Sequence, residues 1–154
     1  MAKLPKGSAS VLVEAPIEAV WALVTDVPRT GEWSPECERC EWVGGATGWA
    51  VGARFVGHNR RGSNTWDMEC VVDEAEAPHR FSFHTERDGR QRTRWTWSLS
   101  AEGDDTRVEQ SWERLAPFSV IQQVVERFVL GGREKHNATN LDTSLDRLKS
   151  AVEG

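Results

Sequence analysis

Residues 80–100 read RFSFHTERDGRQRTRWTWSLS, and this stretch decides the fold. Apolar and polar side chains alternate in both halves of it, which is the period of a β-strand with one buried face. The apolar positions are Phe81, Phe83, Trp95, Trp97 and Leu99. Between the halves lies Asp88-Gly89, a dipeptide typical of a two-residue hairpin turn. The stretch therefore predicts an antiparallel hairpin whose apolar face is covered by another layer of the protein.

Alternating runs of the same kind continue on both sides of this hairpin, separated by Gly, Pro, Asn and Asp. The predicted strands are a first one within residues 1–16, then 37–43, 53–59, 65–74, 80–86, 92–100 and 106–115. Short strands at this spacing indicate an antiparallel meander. The inward face is predicted to carry Met68, Phe81, Phe83, Trp97 and Leu99, and the outward face Asp67, Arg80, Arg94 and Glu109.

Helical periodicity occurs in two places outside the strands. Between Pro16 and Pro28, apolar residues repeat at spacings of three and four. This predicts a helix over 17–26, followed by a short irregular or helical stretch through Trp33-Ser34-Pro35. Residues 118–152 carry a longer helical pattern with two apolar stripes that are out of phase, so a bend is expected at Gly131-Gly132 between them. The second stripe consists of Ala138, Leu141, Leu145, Leu148 and Val152.

Length and composition narrow the class of protein. The 154 residues suit one domain, predicted to span 1–154 with a single core. A net charge of −5 argues against nucleic acid as a partner, and no apolar run approaches the roughly 20 residues that cross a bilayer. Three cysteines cannot all pair within one chain, and the first residues lack a secretory pattern, so a cytoplasmic location is expected. The absence of tyrosine removes every phenolic acid or base.

Several local motifs accompany this order of elements. They are Ala15-Pro16 with Val20-Trp21, Trp33-Ser34-Pro35-Glu36, Gly44-Gly45-Ala46-Thr47-Gly48, Val51-Gly52-Ala53-Arg54-Phe55, Gly57-His58-Asn59-Arg60-Arg61-Gly62 and Thr143-Ser144-Leu145-Asp146-Arg147-Leu148-Lys149. With them, almost the whole chain resembles the helix-grip superfamily of START domains and birch-pollen allergens (SRPBCC). Within that superfamily it is similar to the bacterial polyketide cyclase/dehydrase and lipid-transport family.

The resemblance implies an α+β fold in which a curved seven-stranded antiparallel sheet wraps around a long C-terminal helix. It also implies two short helices between strands 1 and 2. A cavity is expected between sheet and helix, where members of the superfamily commonly bind apolar or aromatic molecules.

Candidate binding residues follow from the alternation together with the resemblance. The expected cavity residues are Trp66, Trp95, Trp97, Trp112, Phe55, Asn59, Arg60, Gln110, Glu36 and Asn137. The four tryptophans point towards the covering helix, and the alternation fits a solid core as well as a cavity lining. Arg60 is interpreted either as part of a charged hairpin loop or as a cation at the pocket mouth that pairs with a carboxylate or phosphate. Further inward polar positions are Cys70, Thr85 and Thr93.

Cysteines and histidines offer little for metal or proton chemistry. The spacing of Cys37 and Cys40 raises the alternatives of a metal site or a redox-active dithiol. On a regular strand residues three apart point to opposite faces, so the two sulfurs are expected to lie apart and to serve in neither role. His58 and His84 fall on the outward face and His79 in a turn, and all three are expected to be solvated surface histidines.

The leading hypothesis is therefore a binder of an apolar or aromatic small molecule, without a cofactor, whose catalytic residues are unknown. A polyketide aromatase/cyclase, in which Asn59, Arg60, Gln110 and Glu36 steer the chain, is one alternative. A regulatory or toxin–antitoxin type partner protein with a vestigial pocket is another. The sequence leaves open whether a reaction is catalysed, which ligand is bound and which oligomer forms.

Overall fold

The computed structural model describes residues 4–117, 121 and 133–154. The strands are β1 (Lys6–Val13), β2 (Cys37–Val43), β3 (Arg54–Arg61), β4 (Asn64–Glu76), β5 (Arg80–Arg87), β6 (Arg90–Glu102) and β7 (Asp105–Arg114). The helices are α1 (Ile17–Val24), a 3₁₀ helix (Val27–Glu32) and α2 (Arg133–Glu153). Both short helices lie between β1 and β2, as predicted, and α1 ends two residues before the expected boundary.

The seven strands form one antiparallel sheet. Its order is β1-β7-β6-β5-β4-β3-β2, so every hairpin from β2 to β7 joins neighbours and the first strand closes onto the last. In the hairpin of β5 and β6, Asp88 and Gly89 have φ of 56° and 73°. Positive φ at both central residues is the geometry of the two-residue turn that the sequence predicted. Such turns are favoured in hairpins because their twist matches the right-handed twist of the flanking strands. The predicted α+β fold with a seven-stranded sheet is confirmed.

Side-chain alternation on the sheet follows the predicted register. Phe81, Trp97 and Leu99 are buried, whereas Met68 and Phe83 are half-buried although they lie on the same inward face. Of the outward set, Asp67, Arg80 and Glu109 are exposed, and Arg94 is half-buried because it pairs with Asp73 and Glu113. The inward face is therefore fully buried around Phe81, Trp97 and Leu99 and only partly buried at Met68 and Phe83.

α1 and the 3₁₀ helix close one end of this face. Pro16 precedes α1 with extended backbone angles, and the apolar side of α1 buries Val20, Trp21 and Val24. The hydroxyl of Thr25 donates to the carbonyl oxygen of Trp21 at 2.7 Å and thereby satisfies part of the last turn. The helices thus fix the turn that leads to β2.

α2 packs mainly against β1 and also contacts β7, α1 and the 3₁₀ helix. Among the side chains of residues 137–153, the buried ones are Asn137, Leu141, Ser144, Leu145 and Leu148. Ala138 is exposed, so its placement in the apolar stripe was wrong, and Asn137 one residue earlier occupies the inward position. Lys149 Nζ donates to the Leu12 carbonyl oxygen at 3.0 Å, which anchors the end of α2 on β1. The predicted bend at Gly131-Gly132 lies outside the described residues.

His84 departs from its expected surroundings. It lies on the outward face, as predicted, but its side chain is only 5% exposed and is not solvated. Nδ1 lies 2.8 Å from Asp73 Oδ1 and Nε2 lies 3.0 Å from Glu86 Oε1. Arg94 also bonds Asp73, so charged neighbours on the sheet cover the imidazole. Alternation gives the face of a residue but not the length and pairing of the side chains around it.

Across the part of the chain that the structure describes, no helix has both the length and the apolar character required to span a membrane.

Candidate functional site

A cavity of about 390 Å³ lies between the inward face of the sheet, the 3₁₀ helix and α2. Its apolar lining comes from strands β3 to β6, which bring their inward side chains to one concave surface, and from the 3₁₀ helix region. The large apolar residues of the lining are Trp33, Phe55, Trp66, Met68, Phe81, Phe83, Trp95 and Trp97. The volume falls within the range of small-molecule sites, and the lining has their typical aromatic character.

The aromatic wall is held by ring-to-ring contacts. The Phe55 and Phe83 centroids lie 5.0 Å apart with planes at 72°, an edge-to-face arrangement that ring quadrupoles favour. Trp42 packs on the far side of Phe55 in the same way, with centroids 5.6 Å apart. Phe81 is fully buried and lies beside Phe83, with ring centroids 6.1 Å apart. The rings of the wall therefore support one another through direct contacts.

Polar side chains interrupt the apolar lining at the positions that alternation predicted. The inward set Asn59, Cys70, Thr85, Thr93 and Gln110 all line the cavity, and Asn137 joins them from α2. Asn137 is 2% exposed. Gln110 is buried, and its Oε1 has no hydrogen-bond partner among the described residues. A buried acceptor left unsatisfied costs about 1–3 kcal/mol, so a donor group on a bound molecule would find a partner there.

Three arginines belong to the cavity lining at one end, the edge of the sheet where the β3–β4 and β5–β6 hairpins turn. Arg61, Arg87 and Arg92 all line it, and each is at least partly exposed to solvent. The guanidinium carbon of Arg61 lies 5.9 Å from the centroid of the Trp66 ring, a cation–π arrangement. Among the described residues, Nε of Arg92 is buried without a hydrogen-bond partner. The hairpin edge of the cavity therefore carries three cationic side chains.

Glu36 is the sole carboxylate among the described lining residues. Its Oε1 accepts a hydrogen bond of 2.7 Å from Nδ2 of Asn140 on α2. The bond joins the Trp33-Ser34-Pro35-Glu36 turn to the C-terminal helix across the edge of the cavity. Glu36 was predicted to reach this rim, and the structure places it there.

Two predicted cavity residues lie elsewhere. Arg60 points to the outer face, where its Nε lies 2.5 Å from Glu38 Oε1, because the alternation that places Asn59 inward turns the next side chain outward. Trp112 is buried but does not line the cavity, since its indole covers Gly7 on the paired strand β1. A Cβ built on Gly7 would come within 2.8 Å of the indole nitrogen.

Sequence reasoning also missed lining residues. Counting in twos from Phe55 reaches Asn59 and then Arg61, so the period of β3 already pointed to Arg61 rather than Arg60. For Trp112 the signal was Gly7 on the neighbouring strand β1, because a glycine there leaves space for the indole to lie over β1 instead of in the cavity. No pattern pointed to Asn140, because its contact with Glu36 joins residues far apart in the chain.

The prediction that Cys37 and Cys40 point apart was wrong. Their sulfurs lie 3.1 Å from each other, and both side chains are buried at the cavity wall. The cause is a β-bulge: Cys37 pairs with Asn59, Arg39 with His58 and Cys40 with Gly57, so Glu38 is an extra residue. The bulge turns both thiols to the same face.

Electrostatics at this thiol pair are asymmetric. The hydrogen bond between the thiols, together with burial, raises the pKa of Cys37. The same hydrogen bond lowers the pKa of Cys40. Cys70, the third cysteine of the cavity wall, has its pKa raised by burial. Within the described part of the chain, no three His, Cys, Asp or Glu side chains are arranged to hold a metal ion.

A seven-stranded antiparallel sheet, two short helices after the first strand and a C-terminal helix over a lined cavity define the helix-grip class. The chain belongs to the family described as polyketide cyclase/dehydrase and lipid transport, whose profile matches residues 5–153. A polyketide-cyclase-like protein from Corynebacterium glutamicum is 31% identical, with 99% of this chain and 94% of that one covered and a TM-score of 0.59.

Two further structures share the fold at lower identity. The Zhui aromatase/cyclase from a Streptomyces species has a TM-score of 0.75 and 15% identity, with 97% and 94% of the two chains covered. A START superfamily protein from Mycobacterium smegmatis has a TM-score of 0.72 and 16% identity, with 96% and 97% covered. No curated protein sequence matches the chain significantly.

Proposed function

We propose that the protein binds an apolar or aromatic small molecule that carries an anionic group, and that it encloses this molecule in the cavity. The observation that carries the proposal is the division of the lining, with aromatic rings along the buried part and Arg61, Arg87 and Arg92 at one end. Burial of the apolar part supplies affinity in proportion to the area removed from water, about 25 cal/mol per Å². Membership of a family that includes lipid-transport proteins supports the same function.

The arginines favour a carboxylate or phosphate over other polar groups. A guanidinium binds such anions with two parallel hydrogen bonds. Among the three, Arg61 lies against the aromatic lining, with its guanidinium carbon 5.9 Å from the centroid of the Trp66 ring. The role first assigned to Arg60 is therefore given to Arg61.

The lining supports binding better than acid–base catalysis. None of the described lining residues is a histidine, and the carboxylate of Glu36 is already bonded to Asn140. General acid–base chemistry needs a titratable group within hydrogen-bond reach of the reacting atom. The size of the cavity also argues against a protein-binding module whose pocket is filled by its own core.

A matched pair of probes tests the proposal. 2-Naphthoate and its methyl ester share the same fused ring, but only the first is an anion. Both should quench tryptophan emission, and the anion should bind more tightly. Arg61→Ala should weaken 2-naphthoate about tenfold, the equivalent of one charge-assisted hydrogen bond, and should leave the ester unchanged.

The neighbouring arginine is the control. Arg60 has the same charge but pairs with Glu38 on the outer face, so Arg60→Ala should affect neither probe. Equal effects of the two substitutions would show that net charge, rather than a site at Arg61, attracts the anion. Failure of both probes to bind at millimolar concentration would refute the proposed function.

A further inference from the structure

The thiol pair at the cavity wall has a geometry that its sequence spacing did not predict. Cys37 and Cys40 lie opposite Asn59 and Gly57, which are two residues apart on β3. Two residues along a strand span about 6.6 Å, at the upper end of the roughly 4.4–6.8 Å between the Cα atoms of a disulfide. The sulfurs themselves lie 3.1 Å apart, so only a small rotation of the side chains separates them from bonding distance.

We propose that Cys37 and Cys40 are a redox-active pair that a peroxide converts into a disulfide within the ligand cavity. This is a modification site distinct from the binding of an apolar molecule, and it does not depend on that function. It also differs from a metal site, since sulfurs that share one tetrahedral zinc ion at about 2.3 Å would lie about 3.8 Å apart.

The two thiols differ in their readiness to react. Thiolate is the reactive form of cysteine, and Cys40 is the sulfur whose pKa is lowered by the hydrogen bond between the two thiols. Cys37 keeps its proton, which the Arg39 carbonyl oxygen accepts at 3.3 Å. Cys40 is therefore the attacking sulfur and Cys37 the resolving one.

The reaction balances with hydrogen peroxide as the oxidant. The Cys40 thiolate attacks one peroxide oxygen, the O–O bond breaks, and the hydroxide released takes up a proton to give water and a Cys40 sulfenic acid. The Cys37 sulfur then attacks the Cys40 sulfur, the S–O bond breaks, and hydroxide leaves with the Cys37 proton as a second water. In sum, two thiols and one peroxide yield one disulfide and two waters.

The oxidant reaches the pair through the cavity. Both cysteines line it, although each residue is buried from bulk solvent. On the opposite strand Gly57 has no side chain, and a Cβ there would lie 3.5 Å from Cys40 Sγ and 3.6 Å from Cys37 Sγ. Gly57 therefore places no side chain over the two sulfurs on the side that faces β3.

Cys70 provides an internal control. It lines the same cavity and is more deeply buried, its thiol donates to the Met68 carbonyl oxygen at 3.7 Å, and burial raises its pKa. A cysteine in this state is a poor nucleophile. Selective oxidation should therefore leave Cys70 as a free thiol.

The experiment treats the reduced, folded protein with hydrogen peroxide, then denatures it, blocks free thiols with N-ethylmaleimide and digests it with trypsin. Because Arg39 separates the two cysteines, cleavage places them in peptides 30–39 and 40–54. The expected result is that free thiols fall from three to one and that these two peptides are joined by a bond that dithiothreitol cleaves.

Variants locate the bond. Cys70→Ser should form the same linked peptides as the natural sequence, whereas Cys37→Ser and Cys40→Ser should form none. If a serine variant does not fold, the peptide map of the natural sequence still decides. Three thiols that persist at a peroxide concentration that oxidises free cysteine would overturn the proposal, and so would a link that involves Cys70.

Discussion

The side-chain amide of Asn140 donates a 2.7 Å hydrogen bond to the carboxylate of Glu36, and the two residues lie 104 positions apart in the chain. One belongs to the C-terminal helix and the other to the turn before β2, and both line the cavity. The bond therefore ties together two walls that, within the described residues, no backbone hydrogen bond connects. The strength of this hydrogen bond therefore contributes to the stability of the cavity rim.

Removing this bond should loosen the rim. Asn140→Ala leaves the part-buried carboxylate without its amide donor, and we expect a loss of about 1.5 kcal/mol in the free energy of unfolding, as for a bond to a charged group. In a domain of this size that lowers Tm by about 4 °C. A bound naphthoate should also dissociate faster, as followed by stopped-flow fluorescence.

Glu36→Gln is the milder comparison, because glutamine retains an acceptor oxygen for Asn140. It should lower Tm by less than Asn140→Ala. Equal losses in the two variants would mean that the charge, rather than the hydrogen bond, holds the rim.

Two buried tryptophans should respond differently to substitution. Trp97 lines the cavity and Trp112 covers Gly7 outside it. Truncation of either to alanine should cost about 3–5 kcal/mol of stability, the usual range for a large aromatic in a core. Only Trp97→Ala should enlarge the cavity and change the affinity for 2-naphthoate.

Phenylalanine variants make the same comparison with less risk to folding. Trp97→Phe should alter the naphthoate affinity measured by isothermal titration, and Trp112→Phe should not. A larger change for Trp112→Phe would mean that the ligand lies against β1 and β7 instead.

The histidine on the outer face of β3 should titrate above its ordinary value. His58 Nε2 lies 2.8 Å from Glu41 Oε1 and Nδ1 lies 2.7 Å from Asp67 Oδ1, while Arg39 opposes them from nearby. The hydrogen bond with Glu41, followed by that with Asp67, raises the pKa of His58 above 6.5. The His58 bond in turn lowers the pKa of Glu41 below 4.5.

The sign of the pH dependence follows from these directions. The contribution of a raised histidine pKa is complete below about 6.5 and is lost as pH rises through the folded value. The Glu41 contribution is complete above 4.5 and is lost as pH falls through its depressed value. NMR titration of the His58 ring protons should give a pKa above 6.5, and His58→Gln should reduce the fall of Tm between pH 6.5 and 8.5. A titration midpoint at or below 6.5 would contradict this account.

Much of the fold was predictable because period-two alternation is a local property of each strand. The run from Phe81 to Leu99 fixed the face of each residue, and Asp88-Gly89 fixed the turn between them. The same period placed Thr85, Thr93 and Gln110 inward, where the structure has them. β2 has the predicted bounds, and the ends of β3 to β7 differ from the predicted ones by at most two residues, mostly because pairing extends into the polar positions beside the turns.

The site was less predictable because it depends on irregularities and on contacts between distant residues. A single extra residue, Glu38, reverses the face of the residues after it in β2 and brings Cys37 to Cys40. Arg60 was predicted to lie at the pocket mouth because its loop is rich in charge. The two-residue period of β3 instead places Arg61 on the inward face. The burial of His84 depends on Asp73 and Arg94 from two other strands. Only the inward position of Arg61 has a signature in the local sequence; the bulge at Glu38 and the contacts of His84 have none.

The central claim is that the cavity is where a ligand binds, and the indole N–H resonances of the eight tryptophans test it most directly. Trp33, Trp66, Trp95 and Trp97 line the cavity, whereas Trp21, Trp42, Trp49 and Trp112 do not. Titration of ¹⁵N-labelled protein with 2-naphthoate should shift the resonances of the first four, through the ring current of the bound naphthyl group, more than those of the second four. Shifts spread evenly over all eight, or largest at Trp112, would contradict the account.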